Sequence, residues 1–568
     1  MRSLTRERRR LAYFSAALLI VAAGLAIVHF GATRAQAASA QSGPASTSLP
    51  TRTVIQPVIG CSSLPGAYRQ LAGAPASVTS ASLVGTAGAQ YCDVTGWIAP
   101  QTAFEVRLPT TTWQGRYLQL GCGGNCGVVG FGVSPSDDTG IALTDNTFVV
   151  AADNEGHTST GLLDVWAAGG ETNPLRVQFG FLADHLTAVV AKHLIQTFYG
   201  QAPAYSYFDG YSDGGRTAIM EAQRYPHDFN GIVAGAPAIE ITYAMESFIW
   251  AADHLLTSSG QPIFDTTAIT TLHNAAVAAC DGTDGLADGQ ISDPRLCHWD
   301  PSTIECSPTL TANCLTPQQV AAAQAMYAGP TTSHGSYLWP GGEAYGSELA
   351  WPSFAGAGDF LGTSFTKYML FPQDRPPDYT YQDFKFDVKT WEEMADMSKV
   401  YNSNNFNHPN LDAFDRAGGK LIVWQSWEDE AAGPYSTLDW YAQVEDRAGG
   451  LRATQNFARV FMLPGGSHGQ TASGVPYDES ILPNLVGWVE TGQAPQEITA
   501  TDTDTSGAVV RTYPLYPYPA RAKYVGSGNV DDASNWVSAT PNPLPNDHFN
   551  WLGDPAGASR QVIAPHRR

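Results

Sequence analysis

The sequence predicts an α/β fold with a mostly parallel sheet and a large inserted segment. A strand candidate at residues 204–210 is followed by a helix candidate and by an apolar strand candidate at 231–238. This strand, helix, strand order is typical of parallel sheets. Two more apolar strand candidates, residues 420–424 and 458–463, follow a long stretch without regular strand–helix alternation. We therefore expect that stretch to be an insertion into the sheet domain.

The expected organisation has five parts. A leader covers residues 1–38 and a linker residues 39–52. The first part of the core covers residues 53–239 and the second part residues 408–568. The inserted segment, residues 240–407, lies between them and is rich in Trp, Tyr, Phe, Gly and Pro.

The composition excludes some classes of partner. The chain has 568 residues, of which 31 are basic and 53 acidic, giving a net charge of −22. Such a surface disfavours nucleic acid and anionic membranes, because both carry negative charge themselves. We therefore expect neither nucleic acid nor an anionic membrane as a partner. We also expect no organic cofactor.

The N-terminus has the layout of a signal peptide. The basic stretch RSLTRERRR precedes an apolar run at residues 11–28 and the small residues AQA at 35–37. We expect cleavage near Ala37 or Ala38, followed by a flexible linker. The mature chain would then be secreted or periplasmic, with no membrane partner. A retained anchor is the alternative, because the apolar run is nearly long enough to span a bilayer.

The cysteine count agrees with export. The chain has eight cysteines, and an even number in an exported chain indicates disulfides. A zinc site is the competing interpretation. The histidines do not flank CxxC pairs, as a structural zinc site of that kind would require.

The stretch YFDGYSDGG contains the Gly-x-Ser-x-Gly pattern of serine hydrolases. The pattern occurs twice, at residues 210–214 and 465–469, and the chemistry requires a strand before it and a helix after it. Only the first copy has both, so Ser212 is the candidate nucleophile. This arrangement lifts the hydroxyl clear of the sheet and is typical of the α/β-hydrolase fold. A simple glycine-rich turn is the alternative, because 56 glycines make a chance match unsurprising.

The second copy of the pattern supplies a candidate base. His468 follows the strand candidate at 458–463, and an α/β-hydrolase requires the order serine, acid, histidine. Asp429 lies between them, in the loop after the strand candidate at 420–424, with Glu428 and Glu430 as direct competitors. A buried carboxylate there would hold the tautomer of the imidazole and stabilise the imidazolium that forms.

Two backbone donors are expected for the oxyanion. One is the N–H of Asp213, directly after the nucleophile. The other should come from an earlier glycine-rich loop, and GRYLQLGCGGNCGVVG at residues 115–130 supplies it, with Gly123 or Gly124 as the donor. A flexible surface loop is the alternative interpretation of this segment.

The chain resembles the tannase and feruloyl esterase family of α/β-hydrolases over most of its mature length. Six stretches occur in the right order: FEVRLPTTTWQGRYLQLGCGG, AADNEGHTS, YSYFDGYSDGGRTAIMEAQRYPHDFNGIVAGAPA, GGKLIVWQSWED, GGSHG and RTYPLYPYPARAKYVGSG. The resemblance implies that Ser212 is the nucleophile, Asp429 the acid and His468 the base. It also implies a lid formed by the inserted segment. The implied substrates are esters of aromatic acids, such as gallates, hydroxycinnamates or terephthalate monoesters.

The chain departs from the family pattern at two pairs of positions. The family usually has a bridged pair of cysteines, one directly before the nucleophile and one directly after the histidine, where this chain has Tyr211 and Gly469. Tyr516 likewise stands where the family commonly has Cys, and no Cys follows near Trp536. A lost bridge removes a constraint typically worth about 2 to 4 kcal/mol. It removes no catalytic atom.

The cysteines that are present predict four bridges. Cys122 and Cys126 bracket the expected oxyanion loop, where a local disulfide would stiffen the donors. The spacing of the family bridges implies the other pairs, with the last as the remainder: Cys280–Cys297, Cys306–Cys314 and Cys61–Cys92.

The stretch CDGTDGLADGQISDPRLC, which begins at Cys280, carries closely spaced acidic residues. Calcium prefers roughly six to eight oxygen ligands. The expected ligands are the carboxylates of Asp281, Asp284 and Asp288 and the carbonyls of Leu286 and Gln290. The resemblance implies a structural calcium site at this motif, which lacks the spacing of an EF-hand. A solvated acidic turn is the alternative.

Several residues of the inserted segment are candidates to contact the substrate. The aromatic candidates are Trp351, Phe354, Phe365, Tyr368 and Phe371. Lys367 or Arg375 could meet a carboxylate or a phenol. Packing within the inserted segment is the alternative for each aromatic residue.

Two other functions compete with an esterase for aromatic acids. One is a calcium-dependent secreted binding protein that keeps the fold without catalysis. The presence of all three triad residues argues against it, because a decayed site would be expected to lose one. The other is a hydrolase of non-aromatic esters.

Overall fold

The computed structural model describes residues 49–68, 71, 75–86, 88–131, 146–159, 163–402, 409–468, 478–479, 481–504, 506 and 508–554. The expected signal peptide and residues 39–48 of the expected linker lie outside the described residues. So do residues 403–407 of the inserted segment, residue 408 of the second part of the core, and Gly469.

A ten-stranded sheet forms the centre of the molecule. Its strands are β1 Gly66–Tyr68, β2 Ala76–Val84, β3 Tyr91–Ile98, β4 Thr102–Pro109, β5 Arg116–Leu120, β6 Phe148–Asp153, β7 Tyr205–Tyr211, β8 Gly231–Gly235, β9 Lys420–Ser426 and β10 Ala458–Leu463. Their spatial order is β1-β2-β3-β4-β6-β5-β7-β8-β9-β10. The strands from β6 to β10 in this order are parallel, whereas β1 to β4 pair antiparallel. The α/β class with a mostly parallel sheet is confirmed.

Two hydrophobic cores cover the two faces of the sheet, which explains why the parallel strands are continuous apolar runs. In β8, Ile232 lies in the first core and its neighbour Val233 in the second. The helices Ala183–Tyr199, Asp213–Arg224 and Pro434–Ala448 close the first core. The helix Ile481–Thr491 closes the second. Shorter helices flank them: Pro174–Val177, Asp412–Arg416 and Leu451–Thr454.

The described part of the inserted segment, residues 240–407, is mainly helical. Its helices are Ile241–Leu255, Thr266–Cys280, Pro317–Ala328, Trp351–Ala357, Thr363–Tyr368 and Val388–Tyr401. Local sequence fixes their starts: Thr316 and Gln319 form a capping box beside Pro317, and Asp387 caps the last helix through the N–H of Thr390. Within the described part of residues 240–407, no strand is present.

Two hydrophobic cores are formed mainly by the inserted segment, and they contain most of the aromatic residues proposed to contact substrate. Trp351 and Phe354 are buried in one core, and Phe365 and Phe371 in another. Tyr368 packs against the second of these. Internal packing therefore accounts for these rings, as the alternative interpretation expected. Arg375 pairs with Glu393 at 2.8 Å.

The C-terminal part adds strands that the sequence analysis did not predict. β11 Asp478–Glu479, β12 Ile498–Thr503 and β13 Val509–Leu515 form an antiparallel sheet, and β14 Arg521–Tyr524 pairs with β15 Trp536–Ala539. These strands contribute Ile498, Tyr513 and Trp536 to the second core.

All eight cysteines are joined in the expected pairs: Cys61–Cys92, Cys122–Cys126, Cys280–Cys297 and Cys306–Cys314. Across the described ranges, no helix combines the length and the apolar character needed to cross a bilayer.

Candidate active site

Ser212 occupies a sharp turn between β7 and the helix Asp213–Arg224. Its φ of 63° and ψ of −117° are rarely adopted by a residue with a side chain. The flanking glycines permit this turn. A Cβ on Gly210 would lie 2.2 Å from the carbonyl oxygen of Gly214, and a Cβ on Gly214 would lie 2.8 Å from the backbone of Gly121. The turn therefore needs Gly on both sides of the serine.

The structure brings Ser212, His468 and Asp429 together in a hydrogen-bonded chain. His468 Nε2 lies 2.8 Å from Ser212 Oγ, and His468 Nδ1 lies 2.9 Å from each carboxylate oxygen of Asp429. The three residues follow the carboxyl ends of β7, β9 and β10, which meet at one edge of the parallel sheet. Asp429 is only 2% exposed. The backbone N–H groups of Ala431 and Ala432 also donate to Asp429 Oδ1, so the carboxylate is fixed in place.

The neighbours of Asp429 make different contacts. Glu430 Oε2 accepts a hydrogen bond of 3.0 Å from the backbone N–H of His468, and so fixes the main chain of that residue. Burial, together with the charge of Asp429, raises the pKa of Glu430 to about 7. Burial and the charge of Glu348 raise the pKa of Glu428 to about 8. Of the three consecutive acids, Asp429 is therefore the one that contacts the imidazole.

Opposing effects act on the protonation of His468. Burial lowers the pKa of the imidazole, whereas the charge of Asp429 and its hydrogen bond raise it. The charge of Glu430 acts in the same direction as Asp429. The net effect raises the pKa of His468 above the ordinary histidine value. The surroundings thus favour the imidazolium that forms when His468 accepts a proton.

The expected oxyanion donors lie on two sides of Ser212. Asp213 is the first residue of the helix, and its carboxylate is held by Arg216 at 2.5 and 3.0 Å. A Cβ on Gly123 would lie 4.0 Å from Ser212 Cβ, so the glycine-rich loop passes directly beside Ser212. Gly124 is the next residue of the loop and has a φ of 64°. Gly123 of the expected pair therefore lies against Ser212.

The glycine-rich loop is anchored at Asn125. Asn125 Nδ2 donates to Asp164 Oδ1 at 2.6 Å. The backbone N–H of Asp164 in turn donates to Ser364 Oγ of the inserted segment at 2.8 Å. Burial raises the pKa of Asp164 to about 8. This connection was not foreseen from the sequence, because residues 125, 164 and 364 share no local pattern.

The acidic loop after Cys280 is stabilised by its own hydrogen bonds. Asp281 accepts N–H groups of Asp288 and Gly289 at 3.1 and 3.0 Å. Asp284 accepts the N–H of Leu286 at 2.8 Å and the Ser292 hydroxyl at 2.5 Å. These bonds hold the loop in a compact turn.

The same loop is an incomplete match to a calcium cage. Asp288 Oδ2 accepts a hydrogen bond of 3.0 Å from Arg511 Nη2, so a cation already contacts this carboxylate. In the described part of the chain, Asp281, Asp284 and Asp288 do not form a group of ligand atoms within 4.8 Å of one another. Calcium binding, with Leu286 and Gln290 as carbonyl ligands, stays a prediction.

Comparison with known proteins agrees with this geometry. A sequence model of the family described as "Tannase and feruloyl esterase" matches residues 84–539. The chain belongs to the tannase and feruloyl esterase family. Members of this family with assigned activities are esterases, and the chain is accordingly a carboxylic ester hydrolase of the tannase and feruloyl esterase type.

Two relatives and one solved structure illustrate the similarity within the tannase and feruloyl esterase family. Mono(2-hydroxyethyl) terephthalate hydrolase of Piscinibacter sakaiensis is 29% identical over 82% of this chain and 87% of its own length. A probable feruloyl esterase of Arthroderma benhamiae is 30% identical over 75% of this chain and 80% of its own. The crystal structure of feruloyl esterase B from Aspergillus oryzae superposes with a TM-score of 0.71 at 26% identity, covering 82% of this chain and 97% of that one.

Proposed function

We propose that this protein is a secreted serine esterase that hydrolyses esters of aromatic acids through an acyl-enzyme. The observation that carries the proposal is the continuous chain of hydrogen bonds from Ser212 through His468 to Asp429, at 2.8 and 2.9 Å. A serine hydroxyl is a weak nucleophile unless a base takes its proton during attack. Among the contacts of the described residues, only His468 places a basic nitrogen within hydrogen-bond distance of Ser212 Oγ.

In the first half of the reaction, Ser212 Oγ attacks the ester carbonyl carbon while His468 Nε2 takes the hydroxyl proton. The carbonyl π electrons move to oxygen and give an oxyanion. The N–H of Asp213 and a backbone N–H at Gly123 would hold that charge. Collapse of the intermediate breaks the bond to the alcohol, which leaves with the proton from His468. The product is an ester between Ser212 and the acid.

In the second half, His468 acts as base towards water instead of serine. The water oxygen attacks the acyl carbonyl, and the same backbone donors hold the second oxyanion. Collapse breaks the bond to Ser212 Oγ, which recovers its proton from His468. Asp429 does not take the proton from His468 in either half; it stabilises the imidazolium and holds the tautomer with Nδ1 protonated.

The proposed acyl group is aromatic. Support comes from relatives named for terephthalate and ferulate esters, which match this chain over most of its length. An aromatic acyl group offers a large flat surface for hydrophobic contact. We leave gallate, hydroxycinnamate and terephthalate monoester as the candidate acids.

Secretion is part of the same proposal. The disulfides support it, because such bonds persist mainly in oxidising compartments. The basic and then apolar N-terminal sequence would act as the signal peptide, with cleavage expected near Ala37 or Ala38. Sequencing the N-terminus of the exported protein tests this point directly.

The deciding experiment is intact-mass analysis after treatment with a small fluorophosphonate. We expect one adduct on the parent and none on Ser212→Ala. The two proteins should have matching circular dichroism, because only one oxygen atom is removed. An adduct on the variant contradicts the assignment of Ser212 as the nucleophile. No adduct on a folded, calcium-loaded parent contradicts the serine mechanism and favours the binding-protein alternative.

A matched ester panel tests the acyl group. Methyl gallate, methyl ferulate and mono(2-hydroxyethyl) terephthalate are compared with methyl cyclohexanecarboxylate and methyl butyrate. We expect kcat/KM for at least one aromatic ester to exceed that of the aliphatic esters by about tenfold or more. Such a ratio corresponds to about 1.4 kcal/mol of additional transition-state binding. A preference for the aliphatic esters supports the alternative of a non-aromatic ester hydrolase.

A further inference from the structure

Tyr211 stands directly before Ser212 and contacts the imidazole that activates it. The ring centroids of Tyr211 and His468 are 5.0 Å apart, with an angle of 25° between the ring planes. On β9, Trp424 stacks on Tyr211 as well, at 5.4 Å and 22°. Tyr211 therefore contacts two aromatic rings, one of which is catalytic in the proposed function.

The sheet itself determines this arrangement. Tyr211 of β7 is paired with Gly235 of β8, and Gly235 is paired with Trp424 of β9. Trp424 and Tyr211 can stack across the middle strand because Gly235 has no side chain. A Cβ there would lie 2.6 Å from the Trp424 indole. Tyr211 and Trp424 both belong to the second hydrophobic core, and Tyr211 is only 6% exposed.

His468 lacks comparable support from its own strand. It follows the end of β10 by several residues, and its side chain is 18% exposed. Its hydrogen bonds to Ser212 and Asp429 lie in the plane of the imidazole ring, so they do little to prevent the ring from tilting out of that plane. Packing against the faces of the ring must limit that motion. The Tyr211 ring contacts a face of the imidazole and limits this motion.

We propose that Tyr211 is a positioning residue for catalysis: its ring holds the His468 imidazole so that Nε2 faces Ser212 and Nδ1 faces Asp429. The inference rests on the proposed serine mechanism. The aromatic face also stabilises the positive charge that His468 acquires during each half-reaction, since π faces attract cations. Tyr211 thus acts through His468 and not on the substrate.

The test compares Tyr211→Phe, Tyr211→Leu and a matched control, Tyr207→Leu. Tyr207 lies two residues earlier on β7 and belongs to the same core, but its ring neighbour is Phe148 and its hydroxyl contacts Glu490. Both leucine variants remove a tyrosine ring from one core. Only Tyr211→Leu removes the contact with His468.

For Tyr211→Leu we expect kcat to fall about tenfold or more with KM within about twofold, the range of a partly lost general base. The acidic limb of the kcat/KM profile should move to lower pH, because the imidazolium loses its π contact. Tyr211→Phe should stay within about twofold of the parent in kcat, since the ring is retained. Tyr207→Leu should lower the melting temperature and leave the pH profile unchanged.

A second readout separates positioning from folding. The low-field proton resonance of His468 Nδ1–H reports its hydrogen bond to Asp429, whatever substrate is used. We expect it to broaden or shift in Tyr211→Leu and to persist in Tyr207→Leu. Unchanged kcat, pH profile and resonance in a folded Tyr211→Leu overturn the inference, as do equal changes in both leucine variants. Failure of the serine mechanism itself would be detected separately, in the fluorophosphonate experiment with Ser212→Ala.

Discussion

Asn125 donates a hydrogen bond of 2.6 Å to Asp164, and this bond connects the loop beside Ser212 to the inserted segment. Gly123 lies two residues before Asn125, against Ser212. On the other side, Asp164 is bonded through its N–H to Ser364. The position of the expected oxyanion donor therefore depends on a buried carboxyl group outside the catalytic residues.

Replacing Asp164 should disturb the reaction more than substrate binding. Asp164→Ala removes the acceptor for Asn125, so we expect kcat to fall about tenfold, below the loss typical for an oxyanion donor removed outright. Asp164→Asn retains an acceptor oxygen and should lose less than about threefold by the same argument. Steady-state kinetics on a saturating aromatic ester measures both. Equal kcat in the parent and the alanine variant would falsify the role of this bond.

The same carboxyl group should make stability depend on pH. Burial raises the pKa of Asp164 from 3.8 to about 8 in the folded protein, so the folded state holds this proton more tightly than the unfolded state. Its contribution is fully present below the unfolded pKa and is lost as pH rises through about 8. The Asp164→Asn side chain cannot ionise, so the unfolding free energy of this variant should fall less than that of the parent as pH rises through about 8. Denaturant titrations of both proteins at pH 5 and pH 9 provide the measurement, and parallel losses contradict the prediction.

Asp429 should set both the rate and the pH profile. Asp429→Asn removes the charge that raises the pKa of His468, so the acidic limb of kcat/KM should move to lower pH. A loss in kcat on the order of 10⁴-fold is expected, because the imidazole loses its orienting partner. Glu430→Gln is the matched control, since glutamine can still accept the His468 backbone N–H. A larger loss in the glutamine variant would assign the acid to Glu430 instead.

The Cys122–Cys126 bridge should matter for catalysis as well as for stability. It closes the loop that carries Gly123, so the Cys122→Ser/Cys126→Ser variant should lose kcat together with about 2 kcal/mol of folding free energy. The control is Cys306→Ser/Cys314→Ser, which opens a bridge of the inserted segment. We expect the control to change the melting temperature without changing kcat. If both variants keep full activity, the bridge has no part in holding the donor.

Calcium is tested through stability. If the loop after Cys280 binds the ion, free calcium at about 100 times its dissociation constant should add about 2.7 kcal/mol to the unfolding free energy, and chelation should remove it. Asp284→Asn should abolish the response. Asp504→Asn, in an acidic turn with similar backbone hydrogen bonds, should not. A melting temperature that changes with neither calcium nor chelator argues for the solvated-turn interpretation.

The turn around Ser212 could be predicted from local sequence. Gly210 and Gly214 are required because a Cβ at either position would collide with nearby backbone, and the flanking strand and helix are visible as local patterns. The order of Ser212, Asp429 and His468 along three strands also follows from sequence. These features depend on steric limits and periodicities that act over a few residues.

Contacts between residues far apart in the chain could not be predicted from local patterns. The three consecutive acids at residues 428–430 have the same chemistry. The path of the chain after β9 turns Asp429 towards the His468 imidazole, whereas Glu430 accepts the backbone N–H of His468. Aromatic residues of the inserted segment could equally face a substrate or each other, and packing put Trp351 and Phe365 inside. The stack of Tyr211 on His468 joins residues 257 positions apart. Such contacts depend on which distant surfaces meet in the folded chain, and no local periodicity records that.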